Sequence, residues 1–398
     1  MAASWSAFDR KRLLREMNGA FAPALVGAGA WSLVVLDARG ATIYDRDADR
    51  AVAPASVQKL IVATTALAVL GPLYRFHTIF AAERAVGDDG VLDGNLWLVG
   101  SGDPSFTSDD LAGGVGKLAR AGLRRIDGSV AVDASVMHGP GFNPHWDPDD
   151  RGEDYAAPTS GISLDGDTVE SHPIVDGQEQ AVWTPVRDVP RYAGAVLEKM
   201  LQARSISVGG PALVQPAPLD AIVLWDHRSL PLRALETHML YVSDNHYAEQ
   251  LLRTVGGEAT GTESDASGIA TELRFLSEWG IPTPGLRLLD GSGLAPGNRV
   301  AAITLARLLS DGELRGGDDS LYLLLPLGGR QGTVEDYDFT TALGRVRAKT
   351  GHITGVSSLA GYVNTLHHGR LVFAFLINGS PGDPDAAVVR AVNRLAQF

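Results

Sequence analysis

The chain has 398 residues, 45% of them hydrophobic and 20% charged, which is typical of a globular protein with room for two domains and large cores. Its formal net charge of -13 argues against nucleic acid or an anionic membrane surface as a partner. Cysteine is absent, so disulfides and thiolate metal sites are excluded. Without an apolar run of about 18 residues, no membrane-spanning helix is expected.

The N-terminal segment, residues 1–19, predicts an amphipathic helix that contains the charged stretch Asp9-Arg10-Lys11-Arg12. It lacks the apolar core of a signal peptide. Two interpretations therefore stay open: a signal segment has been removed from the chain, or the protein is not exported.

The next segment predicts a hairpin followed by a buried helix. The apolar and β-branched residues 31–37 and the residues 41–44 flank a glycine-bearing turn, as in a β-hairpin. Residues 60–70 are apolar, rich in Ala and followed by Gly71, which is typical of a buried helix with a glycine stop.

The middle of the chain, from about residue 74 to 224, changes character. Glycine-punctuated segments predict strands, and the Pro- and Asp-rich residues 143–152 predict a loop. The predicted strand segments are residues 94–99, 128–132 and 206–214, and the predicted helices are residues 109–121 and 190–203. The sequences that follow the two helices resemble each other, which indicates two similar helix–strand units.

After Trp225 the chain returns to longer helices and strands. The predicted helices are residues 232–240, 246–253, 300–309 and 385–397, and the predicted strands are residues 345–350, 358–363 and 371–377. We therefore expect an α+β or three-layer α/β/α fold. Its catalytic domain would be discontinuous, residues 1–75 and 225–398, with an inserted domain at residues 76–224.

Three short clusters carry residues suited to catalysis: Ser56-Val57-Gln58-Lys59, Ser243-Asp244-Asn245 and Lys349-Thr350-Gly351. Two of the only five lysines in the chain lie in these clusters. A buried lysine can lose its proton and act as a base, whereas arginine stays charged. The clusters therefore place lysine where its chemistry cannot be replaced by arginine.

These residue types fit acyl transfer, which needs a nucleophile, a base, a proton relay and an oxyanion site. Ser56 lies at a predicted helix start, and Lys59 follows three residues later, so both side chains should share one face. Lys349, on a predicted edge strand, is expected to lower the pKa of Lys59 and to bind a substrate carboxylate. Ser243 and Asn245 are expected to relay protons and hold the substrate amide.

Each cluster alone is a weak signal. Ser-x-x-Lys is common at helix starts with a solvated Lys, Ser-x-Asn often begins turns and caps, and Lys-Thr-Gly is an ordinary strand end. Each cluster occurs once, in this order and on the expected element, so together they favour the catalytic interpretation.

With these motifs the chain resembles the serine D-Ala-D-Ala carboxypeptidase/endopeptidase family, the class C low-molecular-mass penicillin-binding proteins. The similarity covers most of residues 30–395. Further similar segments are Gly94-Asn-Leu-Trp-Leu98 leading to Gly102-Asp103-Pro104, Ala248-Glu249, Asp290-Gly-Ser-Gly-Leu294 with Asn298-Arg299, and Leu359-Ala-Gly-Tyr362. The resemblance implies a penicillin-binding-protein or serine β-lactamase-like fold, an antiparallel sheet flanked by helices with an inserted, mainly β region.

The resemblance also implies the activity. The chain would be a serine D-Ala-D-Ala carboxypeptidase, with endopeptidase activity left open, that acts on peptidoglycan stem peptides and is acylated by penicillins. It would need no cofactor, would bind peptides ending in D-Ala-D-Ala and β-lactams, and would work in the periplasm or elsewhere outside the cytoplasm. The implied catalytic residues are the nucleophile Ser56, its base Lys59, the second element Ser243 and Asn245, and Lys349.

Substrate binding is implied for the strand that carries Lys349. Thr350 and Gly351 would line the site of the terminal carboxylate, and the backbone N–H of His352 would complete an oxyanion hole with that of Ser56. An imidazole at residue 352 beside the site could titrate near neutral pH. Asp150 is the best match to the family's acidic residue near the amine end of the stem peptide, although a merely solvated acidic loop fits equally well.

The sequence departs from the family pattern in two places. The insertion is shorter than usual, so that one subdomain is expected to be reduced or missing. Residue 352 is His, where the family more often has a small or hydroxylic residue. Two rival functions stay open: a serine esterase or β-lactamase-like hydrolase with the same motifs, and a catalytically inactive cell-wall binding protein. The ten histidines form no pattern typical of a metal site.

Overall fold

The computed structural model describes residues 5–22, 27–175, 178–316 and 321–398. In these ranges the helices are α1 (Ala7–Ala20), α2 (Lys59–Val69), α3 (Ser108–Arg120), α4 (Val189–Ala203), α5 (Leu232–Val242), α6 (Asn245–Thr260), α7 (Asp265–Glu278), α8 (Ala302–Gly316), α9 (Leu321–Leu324) and α10 (Pro384–Leu395). None of the helices described is long and apolar enough to cross a membrane.

The strands are short in the middle of the chain and long at its C-terminal end. They are β1 (Ala30–Leu36), β2 (Thr42–Arg46), β3 (Ala51–Val52), β4 (His77–Ala82), β5 (Val91–Leu92), β6 (Leu96–Val99), β7 (Arg125–Ile126), β8 (Val130–Asp133), β9 (Thr168–Ser171), β10 (Ile174–Val175), β11 (Gln178–Glu179), β12 (Val182–Pro185), β13 (Ser207–Val208), β14 (Leu213–Val214), β15 (Ile222–Arg228), β16 (Val300–Ala301), β17 (Val346–Ile353), β18 (Val356–Asn364) and β19 (Arg370–Asn378).

The chain divides into two compact units. The first contains Met1–Pro72, Glu236–Val255 and Gly268–Phe398, and the second contains Leu73–Leu235 and Gly256–Ser267. The assignment of these parts as a catalytic domain and an inserted domain stays a prediction.

The main sheet of the first unit joins both ends of the chain. Its strand order is β17-β18-β19-β1-β2, and all neighbouring strands are antiparallel. The hairpin predicted near the N-terminus is confirmed, because β1 pairs with β2 and places Val34 opposite Asp45. The three predicted C-terminal strands are confirmed as β17, β18 and β19. β17 is the edge strand, as expected for the strand that carries Lys349.

Both faces of this sheet are covered by helices. On one face Leu33, Val35 and Phe375 pack in a core with residues of α1 and α10. On the other face the Ser32 hydroxyl accepts a hydrogen bond from Ala302 N of α8 (2.9 Å), and the Tyr362 hydroxyl donates to Leu309 O of α8 (2.9 Å). Coverage of both faces explains why β1 is apolar along nearly its whole length. The expected α+β architecture is confirmed.

The second unit is built on a mixed sheet with the order β14-β8-β6-β4-β15. Its core joins apolar residues of α3 and α4 to inward residues of these strands, such as Phe80 and Val132. The two predicted helix–strand units lie side by side, because β13 pairs in parallel with β7, and β14 pairs in parallel with β8. α3 precedes β7 and β8, and α4 precedes β13 and β14.

Some elements differ from the sequence prediction. Residues 206–214 divide into two strands in different sheets, β13 and β14. Between them, a Cβ on Gly209 would lie 2.2 Å from the carbonyl oxygen of Asp127. The predicted loop 143–152 contains a 3-10 turn, Pro148–Gly152, capped by the Asp147 side chain. Helix α7 was missed by the sequence analysis altogether.

Candidate active site

Ser56 lies on a short 3-10 turn, Ala55–Gln58, that leads directly into α2. Its neighbours Ala55, Val57 and Gln58 are buried, whereas Ser56 itself is half-buried. Ala55 has a φ of 52°, a conformation that residues with a side chain rarely adopt. Strain of this kind persists only where the surrounding structure enforces it, and it is common at functional sites. The turn therefore presents the Ser56 hydroxyl at the start of the helix.

Lys59 is the first residue of α2 and is completely buried. Its Nζ donates to Ser56 Oγ (2.9 Å), Asn245 Oδ1 (2.6 Å) and the Ser292 carbonyl (2.8 Å). The predicted pairing of Ser56 and Lys59 on one face is confirmed. Three acceptors match the three protons of an ammonium group. A neutral amine would keep two donors for Asn245 and Ser292 and turn its lone pair towards the Ser56 hydroxyl.

The environment of the two lysines disfavours their charged forms. Burial lowers the pKa of Lys59 from 10.5 to about 8, although the carboxylates of Glu249, Asp290 and Asp244 act in the opposite direction. Burial lowers the pKa of Lys349 well below its ordinary value, and the charge of Lys59 lowers it further. The sequence analysis expected Lys349 to lower the pKa of Lys59, but burial lowers it, and it is the charge of Lys59 that lowers the pKa of Lys349. A neutral Lys59 is therefore accessible close to neutral pH.

Ser243 and Asn245 are placed by a sharp break between α5 and α6. Ser243 has a φ of 64°, the left-handed conformation that ends many helices, and Asp244 N donates back to Met239 O (3.1 Å). The Asp244 carboxylate then accepts Tyr247 N (3.0 Å), as a capping residue of α6 does. This confirms the predicted break. It directs Asn245 towards Lys59 and Ser243 towards Lys349.

Lys349 is also completely buried, on the edge strand β17. Its Nζ donates to Ser243 Oγ (2.8 Å) and to the Thr350 carbonyl (2.8 Å). The three lysines outside the clusters are all exposed: Lys11, Lys117 and Lys199. Burial thus separates the two lysines of the motifs from every other lysine in the chain.

The rest of the Lys349 cluster lies on both faces of β17. Gly351 lies against the Ser56 turn, where a Cβ would be 2.8 Å from Pro54 O and 3.0 Å from Ser56 N. Thr350 Oγ1 donates to Thr333 Oγ1 (2.7 Å). The His352 imidazole contacts Asp385 Oδ1 (2.9 Å) of α10. It therefore lies on the sheet face opposite Lys349, the face that also carries the Thr350 side chain, since side chains alternate along a strand.

The segment 290–295 takes part in the site, which the sequence analysis did not foresee. Asp290 is fully buried, and its carboxylate accepts Gly293 N (2.9 Å), Ala295 N (2.6 Å) and Asn298 Nδ2 (2.7 Å). These contacts hold a compact loop whose Ser292 carbonyl reaches Lys59. The signal that could have found the loop was the Asp-Gly-Ser-Gly sequence, which was used only for family resemblance.

Asp150 lies in the second compact unit, whereas the five catalytic candidates lie in the first. It accepts a hydrogen bond from the Tyr155 hydroxyl (2.8 Å) and is half-buried, on the 3-10 turn that follows the buried Trp146. Tyr155 has a raised pKa of about 12, first through burial and then through Asp150, so its hydroxyl keeps its proton at neutral pH.

The arrangement contains the parts of a serine acyl-transfer site: a half-buried hydroxyl, a buried amine within 2.9 Å of it, and a second buried amine held by a serine. Within the described ranges no group of three or more metal-ligating side chains comes together. The chemistry that the site offers is nucleophilic attack by Ser56 assisted by Lys59.

Comparison with known proteins gives a consistent result. The model of the D-Ala-D-Ala carboxypeptidase 3 (S13) family matches residues 19–175 and 172–397. The D-alanyl-D-alanine carboxypeptidase of Actinomadura sp. is 30% identical, over 94% of this chain and 82% of its own length. The D-alanyl-D-alanine carboxypeptidase DacB of Haemophilus influenzae is 26% identical, over 86% of this chain and 84% of its own.

Among solved structures, penicillin binding protein 4 (dacB) from Haemophilus influenzae has the same fold. It superposes with a TM-score of 0.83 at 23% identity and covers 96% of this chain and 99% of its own. A predatory peptidoglycan endopeptidase from Bdellovibrio bacteriovorus superposes with a TM-score of 0.60 at 19% identity, over 92% of both chains.

Proposed function

The chain belongs to the D-Ala-D-Ala carboxypeptidase 3 (S13) family and is thereby a serine-type D-Ala-D-Ala carboxypeptidase, and we propose that it cleaves peptidoglycan stem peptides through an acyl-enzyme on Ser56. The observation that carries this proposal is the bond from Lys59 Nζ to Ser56 Oγ (2.9 Å), made by a lysine whose pKa is lowered to about 8. A base with a pKa near the working pH is the most effective proton acceptor.

In the acylation step, neutral Lys59 takes the proton of Ser56 while Oγ attacks the carbonyl carbon of the penultimate D-Ala. The negative charge on the carbonyl oxygen is stabilised by the backbone N–H groups of Ser56 and His352. The C–N bond then breaks, and the departing D-Ala nitrogen receives a proton relayed from Lys59 through the Ser243 hydroxyl. Water, deprotonated by Lys59, hydrolyses the resulting ester and restores Ser56.

Lys349 and Thr350 would bind the terminal carboxylate of the peptide. Among the residues that the structure describes, Lys349 Nζ has two acceptors, Ser243 Oγ and the Thr350 carbonyl, so one ammonium proton is available for the substrate. In the free enzyme burial disfavours the charge on Lys349. A bound carboxylate would supply the opposite charge and favour the protonated form.

The same site would be acylated by β-lactams, which place a strained amide at the same position. One solved structure of similar fold is a penicillin binding protein 4 complexed with a β-lactam. Because peptidoglycan lies outside the cytoplasm, we propose a periplasmic or other extracytoplasmic location. We also keep the proposed division into a catalytic domain, residues 1–75 and 225–398, and an insertion at residues 76–224 that shapes substrate access.

Within that insertion, Asp150 would recognise a free amine on the stem peptide. Asp150→Ala should then raise KM for peptides with a side-chain amine about tenfold, the size of one charged hydrogen bond. The rate at which penicillin acylates Asp150→Ala should stay nearly unchanged. Asp149→Ala, an exposed neighbour on the same turn, is the matched control. Equal losses for both ligands in Asp150→Ala would mean that Asp150 only maintains the loop with Tyr155.

The activity itself is tested by release of D-Ala from a diacyl-peptide ending in D-Ala-D-Ala. The wild-type protein should release D-Ala, and prior treatment with penicillin should stop it. Cleavage of a cross-linked peptide dimer without D-Ala release would indicate an endopeptidase instead. Rapid multiple turnover of penicillin would favour the β-lactamase-like alternative, and absence of both labelling and release would favour an inactive binding protein.

A further inference from the structure

Behind Lys59 the 290–295 loop is held by a buried carboxylate of α6, Glu249. Its side chain is only 2% exposed. Its two oxygens each accept Gly291 N at 3.1 Å, and Oε1 also accepts Ser292 N at 2.8 Å. The loop lies directly on α6 at this point, because a Cβ on Gly291 would be 2.8 Å from Ala248 O. Glu249 therefore fixes two successive peptide groups of the loop.

The peptide groups that Glu249 holds adjoin the carbonyl that contacts Lys59. Ser292 donates its N–H to Glu249 and offers its carbonyl to Lys59 Nζ (2.8 Å). From the other side, Asp290 fixes the next part of the loop through Gly293 N and Ala295 N. One residue, Ser292, thus connects the carboxylate of Glu249 to the amine of Lys59.

We propose that Glu249 is a positioning residue of the reaction, which fixes the Ser292 carbonyl against Lys59 and places a negative charge behind its amine. The inference rests on the proposed role of Lys59 as the base for Ser56. The Ser292 carbonyl and the Asn245 amide occupy two N–H bonds of the neutral amine, so the lone pair is left to face Ser56. If the carbonyl moved, this orientation would be lost.

The charge of Glu249 has a second effect. It raises the pKa of Lys59 against the lowering by burial, together with Asp290 and with Asp244 from the α5–α6 break. Lys349 on β17 is close enough to Lys59 for the charge of Lys59 to lower its pKa. Without Glu249, Lys59 would lose its proton at lower pH and would be a weaker base once neutral.

A matched control is available on α7. Glu272 is 1% exposed, and neither of its oxygens has a hydrogen-bond partner among the described residues. Burial raises the pKa of Glu272 well above its ordinary value, and the nearby charges of Glu249 and Asp290 raise it further. Burial therefore disfavours the charged form of Glu272, and Glu272→Gln keeps the shape of the side chain without removing a hydrogen bond to the 290–295 loop.

The experiment measures the second-order rate constant of acylation by penicillin from pH 5 to 10, which reports groups that titrate in the free enzyme. In Glu249→Gln the acid limb of the curve of rate constant against pH should move to lower pH by about one unit, as expected for loss of a nearby charge. The plateau should also fall, by about tenfold, because the amide holds Ser292 less well. Glu272→Gln should leave the limb in place.

Glu249→Asp separates the two effects. Aspartate keeps the carboxylate charge, but its side chain is shorter by one methylene group. The acid limb of the rate–pH curve should therefore stay near that of the wild type, while the plateau of the curve falls. If Glu249→Gln does not fold, as judged by circular dichroism, the plateau of Glu249→Asp alone tests the inference. An unmoved limb in Glu249→Gln, or an unchanged plateau in Glu249→Asp, would overturn the inference. Acylation of Lys59→Ala at the wild-type rate would instead overturn the proposed base, and the inference with it.

Discussion

The two faces of β17 each carry a basic side chain, Lys349 on one and His352 on the other, and the environments of these side chains differ. Lys349 is completely buried and contacts a hydroxyl and a carbonyl. The His352 side chain is 46% exposed and contacts the carboxylate of Asp385. On one face burial disfavours the charge of Lys349, and on the other the imidazole of His352 lies within hydrogen-bond distance of a carboxylate. The comparison shows that solvent exposure, and not residue type alone, distinguishes the proposed catalytic lysine from the histidine.

The buried face is costly to form. The shift of the pKa of Lys59 from 10.5 to about 8 corresponds to roughly 3 kcal/mol that disfavours its charged form in the folded protein. On the exposed face the hydrogen bond from His352 is the main cause that lowers the pKa of Asp385. Such half-exposed pairs contribute little to stability. The proposed catalytic lysines therefore lie on the face where burial is unfavourable for their charge.

The largest expected effect is on the buried face, at Lys59. Lys59→Arg keeps the charge but cannot accept the proton of Ser56, so acylation by penicillin should fall about 10²- to 10⁴-fold, close to the loss in Lys59→Ala. The rate is followed by stopped-flow fluorescence with a labelled penicillin. Lys117→Arg, at an exposed lysine, should leave the rate unchanged.

A Lys59→Arg variant that is acylated at nearly the wild-type rate would contradict the proposed role of the buried lysine as a base. It would show that Lys59 acts only through its charge and that another group takes the proton of Ser56.

A smaller loss is expected where β17 touches the Ser56 turn. A methyl group at Gly351 would lie 2.8 Å from Pro54 O and 3.0 Å from the backbone nitrogens of Ser56 and Val57. Gly351→Ala should therefore displace the nucleophile, and a shift of about 1 Å reduces rates by about a hundredfold. Gly113→Ala, where a methyl group meets nothing within 4 Å, is the control and should keep full activity. Acylation of Gly351→Ala at the wild-type rate would mean that the turn accommodates the methyl group without displacing Ser56.

The smallest effect is expected on the exposed face, at His352. His352→Ser keeps the backbone N–H proposed for the oxyanion hole, so acylation should stay within about tenfold, which is roughly 1.4 kcal/mol of barrier. Because the imidazole faces Asp385, the pH profile between about pH 5.5 and 7.5, the range of an ordinary histidine, should also be unchanged. Asp385→Asn should behave in the same way.

A change of the pH profile in His352→Ser alone would show that the imidazole charge reaches the site from the opposite face. A loss of several orders of magnitude would make His352 a direct participant and would remove the distinction between the two faces.

Local patterns predicted much of the fold. The strands β1, β17, β18 and β19 could be predicted from short runs rich in apolar and β-branched residues. The common face of Ser56 and Lys59 could be predicted from their spacing of three residues. The face of the strand on which His352 lies could also have been predicted, because side chains three residues apart point to opposite sides of a strand. The sequence analysis did not apply this alternation. The Asp-Gly-Ser-Gly sequence could have indicated a loop at residues 290–295, but its contacts with Glu249 and Lys59 are tertiary and could not be derived from the sequence.

The central claim is that Ser56, activated by Lys59, is the residue that becomes acylated. Mass spectrometry of the intact protein and of its proteolytic peptides after exposure to penicillin tests this most directly. The account predicts one adduct per chain, located on Ser56, in the wild-type protein and no adduct in a folded Ser56→Ala variant. Stoichiometric acylation of Ser56→Ala, or an adduct on another residue of the wild-type protein, would contradict it.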